Sequence, residues 1–355
     1  MEESSKTLAA MTPKVTRAWY VACLSSELGK GKLLVRKLHG LPVVLFRETD
    51  GKAAALLDRC PHRNVPISCG SVVEGAAQCG YHGWRFRGDG ECVELPGYEG
   101  AADHVARRAT AYPVREQQGL VWVWTEPDVA PDTEPFRVPG ADDPAYLTVV
   151  RPMPTPGSLH MVIENALDVP HTAFLHGGLF RTDRPDRKPI RAVVTRYHDR
   201  VECQFVGEAR PSGLAARLLA PSGGELTHFD RFFLPSITQV EYRLGDDAHL
   251  LLHGCCTPVD DFETIVYAVV CIKTRLPRWM VKAVVEPVAL KIFGQDRLIL
   301  GMQKDTLHTF KEARFASTDL DVLGLHILRL MTRAARGDPP DVEAAPFVRE
   351  VTMWV

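Results

Sequence analysis

The sequence predicts an α+β protein in two parts: an N-terminal β domain over residues 1–135, and a domain over residues 136–355 in which helices flank an antiparallel sheet. Three observations favour this fold class. Short apolar runs separated by tight turns fill the first third of the chain. A Pro- and Asp-rich stretch at 126–144 reads as a domain boundary. Beyond it, long alternating segments are mixed with helical patterns, as in an antiparallel sheet with helices.

The N-terminal part has the pattern of a β meander. Asp50-Gly51 separates two apolar runs, as a hairpin turn does, and Gly119 separates two more. The predicted strands are 41–47, 53–57, 114–116 and 120–124. Two loops, 60–67 and 79–84, interrupt this meander and carry its reactive side chains.

These loops contain Cys60-Pro61-His62 and Cys79-Gly80-Tyr81-His82. Two thiolates on one iron and two imidazoles on the other suit a [2Fe–2S] cluster. The neutral imidazoles raise its reduction potential to roughly −150 to +300 mV, as in an electron relay. Structural zinc is the alternative, because zinc also accepts Cys and His. Zinc fingers usually present paired C-x-x-C and H-x-x-H units, whereas each loop here supplies one Cys and one His.

A second group of candidate ligands lies at 164–176, where Asp168 precedes His171 by three residues and His176 follows. On a straight helix the two imidazoles would point about 140° apart, so they converge on one metal only if the helix is distorted. Pro170 and the pair Gly177-Gly178 supply such distortion. Two imidazoles plus one carboxylate form the facial triad of non-heme Fe(II) oxygenases.

Both motifs resemble one family. C-P-H followed by C-x-Y-H-G-W resembles the Rieske domain of the Rieske non-heme iron oxygenases. N-x-x-D-x-x-H-x-x-x-x-H at 165–176 resembles the iron-binding helix of the same family, in its monooxygenase and demethylase branch. The resemblance spans both domains. It implies a [2Fe–2S] cluster and a mononuclear Fe(II), with ligands Cys60, His62, Cys79, His82, His171 and His176.

The resemblance also implies the remaining site residues. The segment 293–300 resembles the family's late helix, so Asp296 is the expected third iron ligand, with Asp305 as the alternative. Asp168 matches the carboxylate that links a Rieske histidine to an iron-binding histidine, and its position suits a hydrogen bond that orients His171. Asn165 matches a polar position near the iron, although it could equally be a helix-surface amide.

The implied activity is that of an oxygenase component, with dioxygen as co-substrate. It would hydroxylate or oxidatively demethylate a mostly apolar small molecule, such as a sterol or an aromatic ether. The alternatives are the subunit of a ring-cis-dihydroxylating dioxygenase and a Rieske electron carrier. Gly29-Lys30-Gly31 lacks the further glycine of a dinucleotide fingerprint. Electrons from NAD(P)H are therefore expected through a separate ferredoxin or reductase.

The resemblance also implies a head-to-tail homotrimer, in which the cluster of one subunit lies beside the iron of the next. Four arginines flank the cluster loops, and either they present positive potential to an acidic ferredoxin or they are ordinary solvated side chains. They are Arg59, Arg63, Arg85 and Arg87. A second basic stretch, at 181–188, is expected to be a solvated loop.

Composition limits the other possibilities. A net charge of −2 gives no electrostatic case for a nucleic-acid partner. No apolar run reaches membrane-spanning length, and the longest candidate, 279–293, is interrupted by charges and a proline, which favours an amphipathic helix. The acidic start and nine scattered cysteines favour a cytoplasmic protein with reduced thiols, Cys69 among the buried ones. Apolar segments at 214–220 and 323–331 are expected in a core or a pocket.

Overall fold

The computed structural model describes residues 12–176, 188–209, 224–246 and 248–354. Gly177-Gly178, most of the basic stretch at 181–188 and the apolar segment 214–220 lie outside these ranges. The chain forms two compact units. One contains Thr16–Arg137 and Thr257–Asp260, and the other contains Val138–Cys256, Asp261–Val355 and the residues up to Val15.

The smaller unit consists of short antiparallel strands in three sheets, as the sequence predicts. The sheets have the strand orders β1-β11-β10, β2-β3-β4-β9 and β5-β6-β7-β8. The strands are β1 Trp19–Leu24, β2 Leu34–Leu38, β3 Leu41–Arg47, β4 Ala53–Leu57, β5 Ser71–Val73, β6 Ala76–Gln78, β7 Arg85–Phe86, β8 Cys92–Glu94, β9 Ala111–Tyr112, β10 Val114–Gln117 and β11 Leu120–Trp124.

One apolar core of this unit reaches both cluster loops. Phe46 on β3, Leu56 on β4 and Phe86 on β7 are fully buried. They belong to the same group of buried apolar residues as Cys60 and Cys79. Each such large apolar side chain contributes about 1.5–3 kcal/mol by leaving water. The two cysteines are therefore anchored in the apolar core of the unit.

The larger unit is an eight-stranded antiparallel sheet with helices, in the order β12-β18-β17-β16-β15-β14-β13-β19. This confirms the predicted α+β class. The strands are β12 Leu147–Pro156, β13 Pro189–Arg196, β14 Arg200–Val206, β15 Leu226–Phe233, β16 Ile237–Leu244, β17 Ala248–Pro258, β18 Glu263–Thr274 and β19 Phe347–Trp354. The helices are α1 Leu159–Ala166, α2 Thr172–Leu175, α3 Arg278–Phe310 and α4 Gly324–Arg336.

The alternating segments that predict strands in this unit correspond to β13, β14, β16, β17 and β18, whereas β12, β15 and β19 were not predicted. These segments are 190–197, 201–206, 237–242, 249–255 and 265–271. In β12, Pro152, Pro154 and Pro156 occupy alternate positions, and proline usually argues against a strand. Because β12 is an edge strand that, among the described strands, pairs only with β18, all three proline nitrogens can face the side without a partner. The prolines at alternate positions, which make the sequence look unlike a strand, are therefore compatible with an edge strand.

Helix α3 continues through Pro287 to Phe310, where the sequence suggested two separate segments. The helix packs on β12, and Val281 before the proline and Phe293 after it both lie beside residues of β12 and β18. The segment at 323–331 forms most of α4. No helix in the described ranges is long and apolar enough to cross a membrane.

Candidate metal centres

The two cluster loops share one backbone conformation. In each loop the cysteine N–H donates to the carbonyl five residues on, and the cysteine carbonyl accepts from the N–H four residues on. These 2.8–3.0 Å bonds join Cys60 to Val65 and Asn64, and Cys79 to Trp84 and Gly83. The residue four after the cysteine has positive φ in both loops, 62° at Asn64 and 70° at Gly83. Two equivalent turns thus present the candidate ligands side by side.

The thiols lie on the core side of these turns and the imidazoles lie farther out. Cys60 and Cys79 are 2% and 1% exposed. The rings of His62 and His82 are 4.4 Å apart between centroids, and His62 stacks at 4.5 Å on Trp84. The separation of two sulfurs from two nitrogens matches the mixed ligation of a [2Fe–2S] cluster.

Two observations indicate that these donors fit a metal cluster. Nδ1 of His62 is buried and has no hydrogen-bond partner among the described residues, as expected for a nitrogen that binds metal. Burial raises the pKa of Cys60 to about 11, with a further upward contribution from the adjacent Cys79 thiol. Bound iron would replace the thiol protons and remove the cost of burying two thiolates.

The backbone at residues 69–70 packs closely against the backbone at residues 78–80, where the second loop begins. A side chain at Gly70 would lie 1.8 Å from the carbonyl oxygen of Gln78, and one at Gly80 would lie 2.6 Å from that of Cys69. Only glycine fits at either position. The backbone of Cys69 therefore packs against Gly80 while its thiol is exposed, so the prediction of a buried Cys69 was wrong.

The second centre forms where the helical segment breaks. Helix α1 begins after Ser158, whose Oγ accepts from the N–H of Met161. It ends at Ala166, and α2 starts only at Thr172. Pro170 lies within the break, so the predicted distortion is confirmed. The break turns His171 and His176 toward each other, with 3.3 Å between their Nε2 atoms.

Helix α3 adds a carboxylate to this pair. Oδ1 of Asp296 lies 3.5 Å from Nε2 of His171 and 3.1 Å from Nε2 of His176. Metal bonds of roughly 2.1 Å at right angles would separate neighbouring donor atoms by about 3.0 Å, close to these distances. The same Oδ1 is buried without a well-formed hydrogen bond to a described residue. The three donors therefore fit one face of an Fe(II) site, and Asp305, an exposed residue farther along α3, is outside the group.

Each histidine has an acceptor at the nitrogen that points away from this site. Nδ1 of His171 lies 3.2 Å from Oδ2 of Asp168, and Nδ1 of His176 lies 3.0 Å from Oε1 of Gln295. A proton held on Nδ1 leaves Nε2 free to bind a metal. Burial lowers the pKa of His171, but Asp168 and Asp296 more than offset it and raise that pKa to about 9. The two carboxylates thus favour positive charge at this position.

The two remaining predicted residues, Asp168 and Asn165, differ in the hydrogen bonds that they form at this site. Asp168 is half-buried and also accepts from the backbone N–H of His171, at 3.3 Å. Asn165 is half-buried in the last turn of α1, and its side chain forms no hydrogen bond with a described residue. Gln295 was missed by the sequence reasoning, and the available signal was its position directly before Asp296.

Gln295→Met is expected to weaken Fe(II) binding about 10- to 100-fold, because the thioether cannot hold the Nδ1 proton of His176 as the amide oxygen does. Chelator competition measures the affinity, and the visible spectrum of the cluster reports folding. Gln303→Met, at an exposed position of the same helix, is the matched control. Equal affinities of the two variants would contradict this role of Gln295.

Two family models match the chain. The Rieske [2Fe-2S] domain matches residues 18–107. The vanillate O-demethylase oxygenase C-terminal domain matches residues 157–337. The first range contains all four candidate cluster ligands, and the second contains all three candidate iron ligands.

Curated relatives carry related names. The oxygenase component of dicamba O-demethylase from Stenotrophomonas maltophilia is 38% identical over 58% of this chain and 60% of its own length. The vanillate O-demethylase oxygenase subunit of Pseudomonas sp. is 25% identical over 96% of this chain and all of its own. The 3-chlorobenzoate-3,4-dioxygenase oxygenase subunit of Comamonas testosteroni is 31% identical over 70% of this chain and 57% of its own. The first and third matches span less than two thirds of the relative.

Solved structures share the fold. Dicamba monooxygenase bound to 3,6-dichlorosalicylic acid superposes with a TM-score of 0.78 at 24% identity, over 92% of this chain and 99% of its own. NdmA of Pseudomonas putida CBB5 with caffeine gives 0.74 at 21% identity, over 94% and 96%. At these identities the likeness establishes the architecture alone.

Proposed function

Because the chain belongs to the vanillate O-demethylase oxygenase C-terminal domain family and carries a Rieske [2Fe–2S] domain before it, we propose that it is the oxygenase component of a Rieske monooxygenase. It uses dioxygen and externally supplied electrons to hydroxylate or oxidatively demethylate a mostly apolar small molecule. The observation that carries this proposal is the convergence of His171, His176 and Asp296 in a chain that also holds both cluster loops.

The residue assignments follow the geometry of each unit. Cys60, Cys79, His62 and His82 hold the cluster in an N-terminal domain of residues 1–135. His171, His176 and Asp296 hold Fe(II) in a catalytic domain of residues 136–355. Asp168 and Gln295 are positioning residues, because each acts through the histidine that it contacts. For Asn165 the support is limited to its place in the sequence pattern.

When bound, the cluster would relay electrons, and the iron would be the site at which dioxygen is reduced. The protein's own part is to fix the donors. Nε2 of His171, Nε2 of His176 and Oδ1 of Asp296 occupy one side of the site and leave the other side for reactants. Asp168 and Gln295 hold the Nδ1 protons, so neither imidazole turns away from the iron.

The proposed assembly is a homotrimer in which Asp168 accepts a hydrogen bond from His82 of the partner subunit while orienting its own His171. Exposed side chains near both metal sites support such a contact between subunits. His82 and Tyr81 are exposed in the second cluster loop. Phe174, between the two iron-binding histidines, is 64% exposed, and Leu298 and Met302 expose apolar surface on α3 just beyond Asp296. Such surface is typical of residues covered in an oligomer.

The electron donor is proposed to be a ferredoxin or a ferredoxin reductase. Among the four arginines near the cluster loops, Arg85 pairs with Glu94 at 2.6 Å and Arg87 pairs with Glu91. Arg59 donates to the side chain of Asn64. Arg63 forms no ion pair with a described residue, so it contributes most to any positive potential at the cluster.

Arg63→Glu is expected to slow reduction of the cluster by an acidic donor about tenfold at low salt and to flatten the salt dependence, because charge attraction governs encounter. Stopped-flow reduction at several ionic strengths measures both effects. Lys30→Glu, an exposed change in the same unit but away from the cluster loops, controls for net charge. Identical kinetics in the two variants would exclude a docking role for Arg63.

The proposed location is the cytoplasm. None of the nine cysteines forms a disulfide, eight of them are buried and Cys69 is exposed. A reducing compartment preserves such thiols.

Oxygen uptake across a panel of sterols, aromatic ethers and N-methyl compounds tests the proposed activity. A substrate-dependent rise with formaldehyde release and one atom of labelled oxygen in the product supports the monooxygenase. Incorporation of both atoms would favour the dioxygenase alternative, to which the 3-chlorobenzoate relative points. An iron content of about two rather than about three per chain, without uptake, would favour an electron carrier.

A further inference from the structure

A buried carboxylate lies just before the first cluster loop, at Asp58. The residue is 7% exposed and stands between the end of β4 and Cys60. Its backbone N–H donates to the carbonyl of Pro42 on β3, at 2.9 Å. Because two residues span at most about 7 Å, the α-carbon of Asp58 lies within that distance of the α-carbon of Cys60. Asp58 is thus held beside a candidate cluster ligand.

Both carboxylate oxygens of Asp58 accept hydrogen bonds from Ser68, which follows the first cluster loop. The N–H of Ser68 donates to Oδ1 at 2.8 Å, and its hydroxyl donates to Oδ2 at 2.6 Å. The two residues therefore close the base of loop 60–67. The next two residues, 69–70, pack against the backbone at 78–80, where the second loop begins. Asp58 is thereby joined through one turn to both cluster loops.

The negative charge of Asp58 is not balanced by an ion pair with a described residue. Arg59, its neighbour in the chain, donates instead to the side chain of Asn64. The donors that reach the carboxylate are the neutral groups of Ser68. Water screens a charge poorly where it is buried, and a fixed negative charge opposes the addition of an electron nearby. The field of Asp58 therefore acts on a cluster bound at Cys60.

We propose that Asp58, held in place by Ser68, lowers the reduction potential of the Rieske cluster and so sets how readily the cluster passes its electron on. The inference rests on the proposed function only in requiring the [2Fe–2S] cluster, and on no property of the iron site or the substrate. Without this charge the cluster would be a stronger electron acceptor and a weaker electron donor.

Asp58→Asn keeps the shape of the side chain and removes its charge. In a redox titration of the holoenzyme, the reduction equilibrium of the cluster is expected to shift about tenfold toward the reduced form, a rise of about 59 mV for a one-electron couple. Asp103→Asn removes a charge at an exposed position of the same unit, where water screens it, and should shift the equilibrium less than about twofold. Equal potentials of wild type and Asp58→Asn would overturn the proposal.

Ser68→Ala separates the charge from the geometry of the loop. It removes the hydroxyl donor but retains the carboxylate, so the reduction equilibrium should shift less than about twofold. Ser68→Thr retains the hydroxyl and should match the wild type. A shift in Ser68→Ala as large as that in Asp58→Asn would assign the effect to loop geometry and overturn the role of the charge.

A second neutral variant covers the case in which Asp58→Asn does not retain the cluster. Asp58→Ser leaves room for water beside Ser68 and carries the same expected shift. Loss of the cluster in both variants would show that Asp58 serves assembly of the cluster, and would overturn the proposal. A wild-type protein without a Rieske spectrum after reconstitution with iron and sulfide would contradict the proposed function. An unshifted potential in an active oxygenase would contradict this inference alone.

Discussion

Replacing His176 with alanine is expected to reduce oxygen-dependent turnover about 1,000-fold or more while leaving the visible spectrum of the Rieske cluster unchanged. His176 is 2% exposed and supplies one of three donor atoms within 3.5 Å of one another. Its loss leaves two donors, too few to retain Fe(II) at ordinary concentrations. The cluster loops belong to the other compact unit, so their four ligands remain in place.

Iron analysis, absorption spectra and oxygen uptake together measure this separation. His82→Ala should give the converse result, with loss of the Rieske spectrum and of turnover but retention of Fe(II). His198→Ala, in the turn between β13 and β14, controls for removal of an imidazole elsewhere. Loss of the Rieske spectrum in a well-folded His176→Ala protein would contradict the assignment of two separate centres.

Mixing two inactive variants is expected to restore activity. Subunits with His82→Ala lack a working cluster, and subunits with His176→Ala lack working iron. In a head-to-tail trimer assembled from equal amounts of both, about a quarter of the interfaces join an intact cluster to an intact iron site. Activity should therefore approach about a quarter of the wild-type value, because electrons pass between subunits.

Native mass spectrometry of differently tagged subunits verifies that mixed trimers have formed before oxygen uptake is measured. The matched control mixes His176→Ala subunits with Cys60→Ser, His176→Ala double-variant subunits, which offer no intact iron site. Recovery in the control would show that the restored activity does not depend on an intact iron site. No recovery in verified mixed trimers, or full activity of a monomer, would exclude transfer between subunits.

Local sequence patterns were sufficient for the cluster loops and for part of the fold. Strands β3 and β4 match the predicted limits because Asp50-Gly51 fixes the turn between them. The four candidate cluster ligands lie close together in the chain, so their spacing alone predicts a [2Fe–2S] site. Pro170 likewise predicts the break between α1 and α2 without knowledge of the tertiary structure.

Contacts between distant segments could not be derived in this way. Gln295 and His176 are 119 positions apart, and nothing in either segment specifies the other. Asp296 was predicted from the family pattern alone, because an exposed carboxylate paired with Arg297 would have given the same local sequence. The edge position of β12 was also hidden, since its prolines become compatible with a strand only when one side has no partner.

The order of the strands has a consequence for biosynthesis. Helices α1 and α2 precede the six strands β13 to β18, as do the candidate iron ligands His171 and His176 that flank α2. Helix α3 with Asp296 follows these strands. Strand β12 must also wait for β18, the one strand beside it in the part of the sheet that the structure describes. The ribosome therefore completes the cluster loops long before it completes the iron site. We expect the cell to insert the Rieske cluster into a nascent or newly folded N-terminal unit, and to load the single iron last, into a protein whose sheet has already closed.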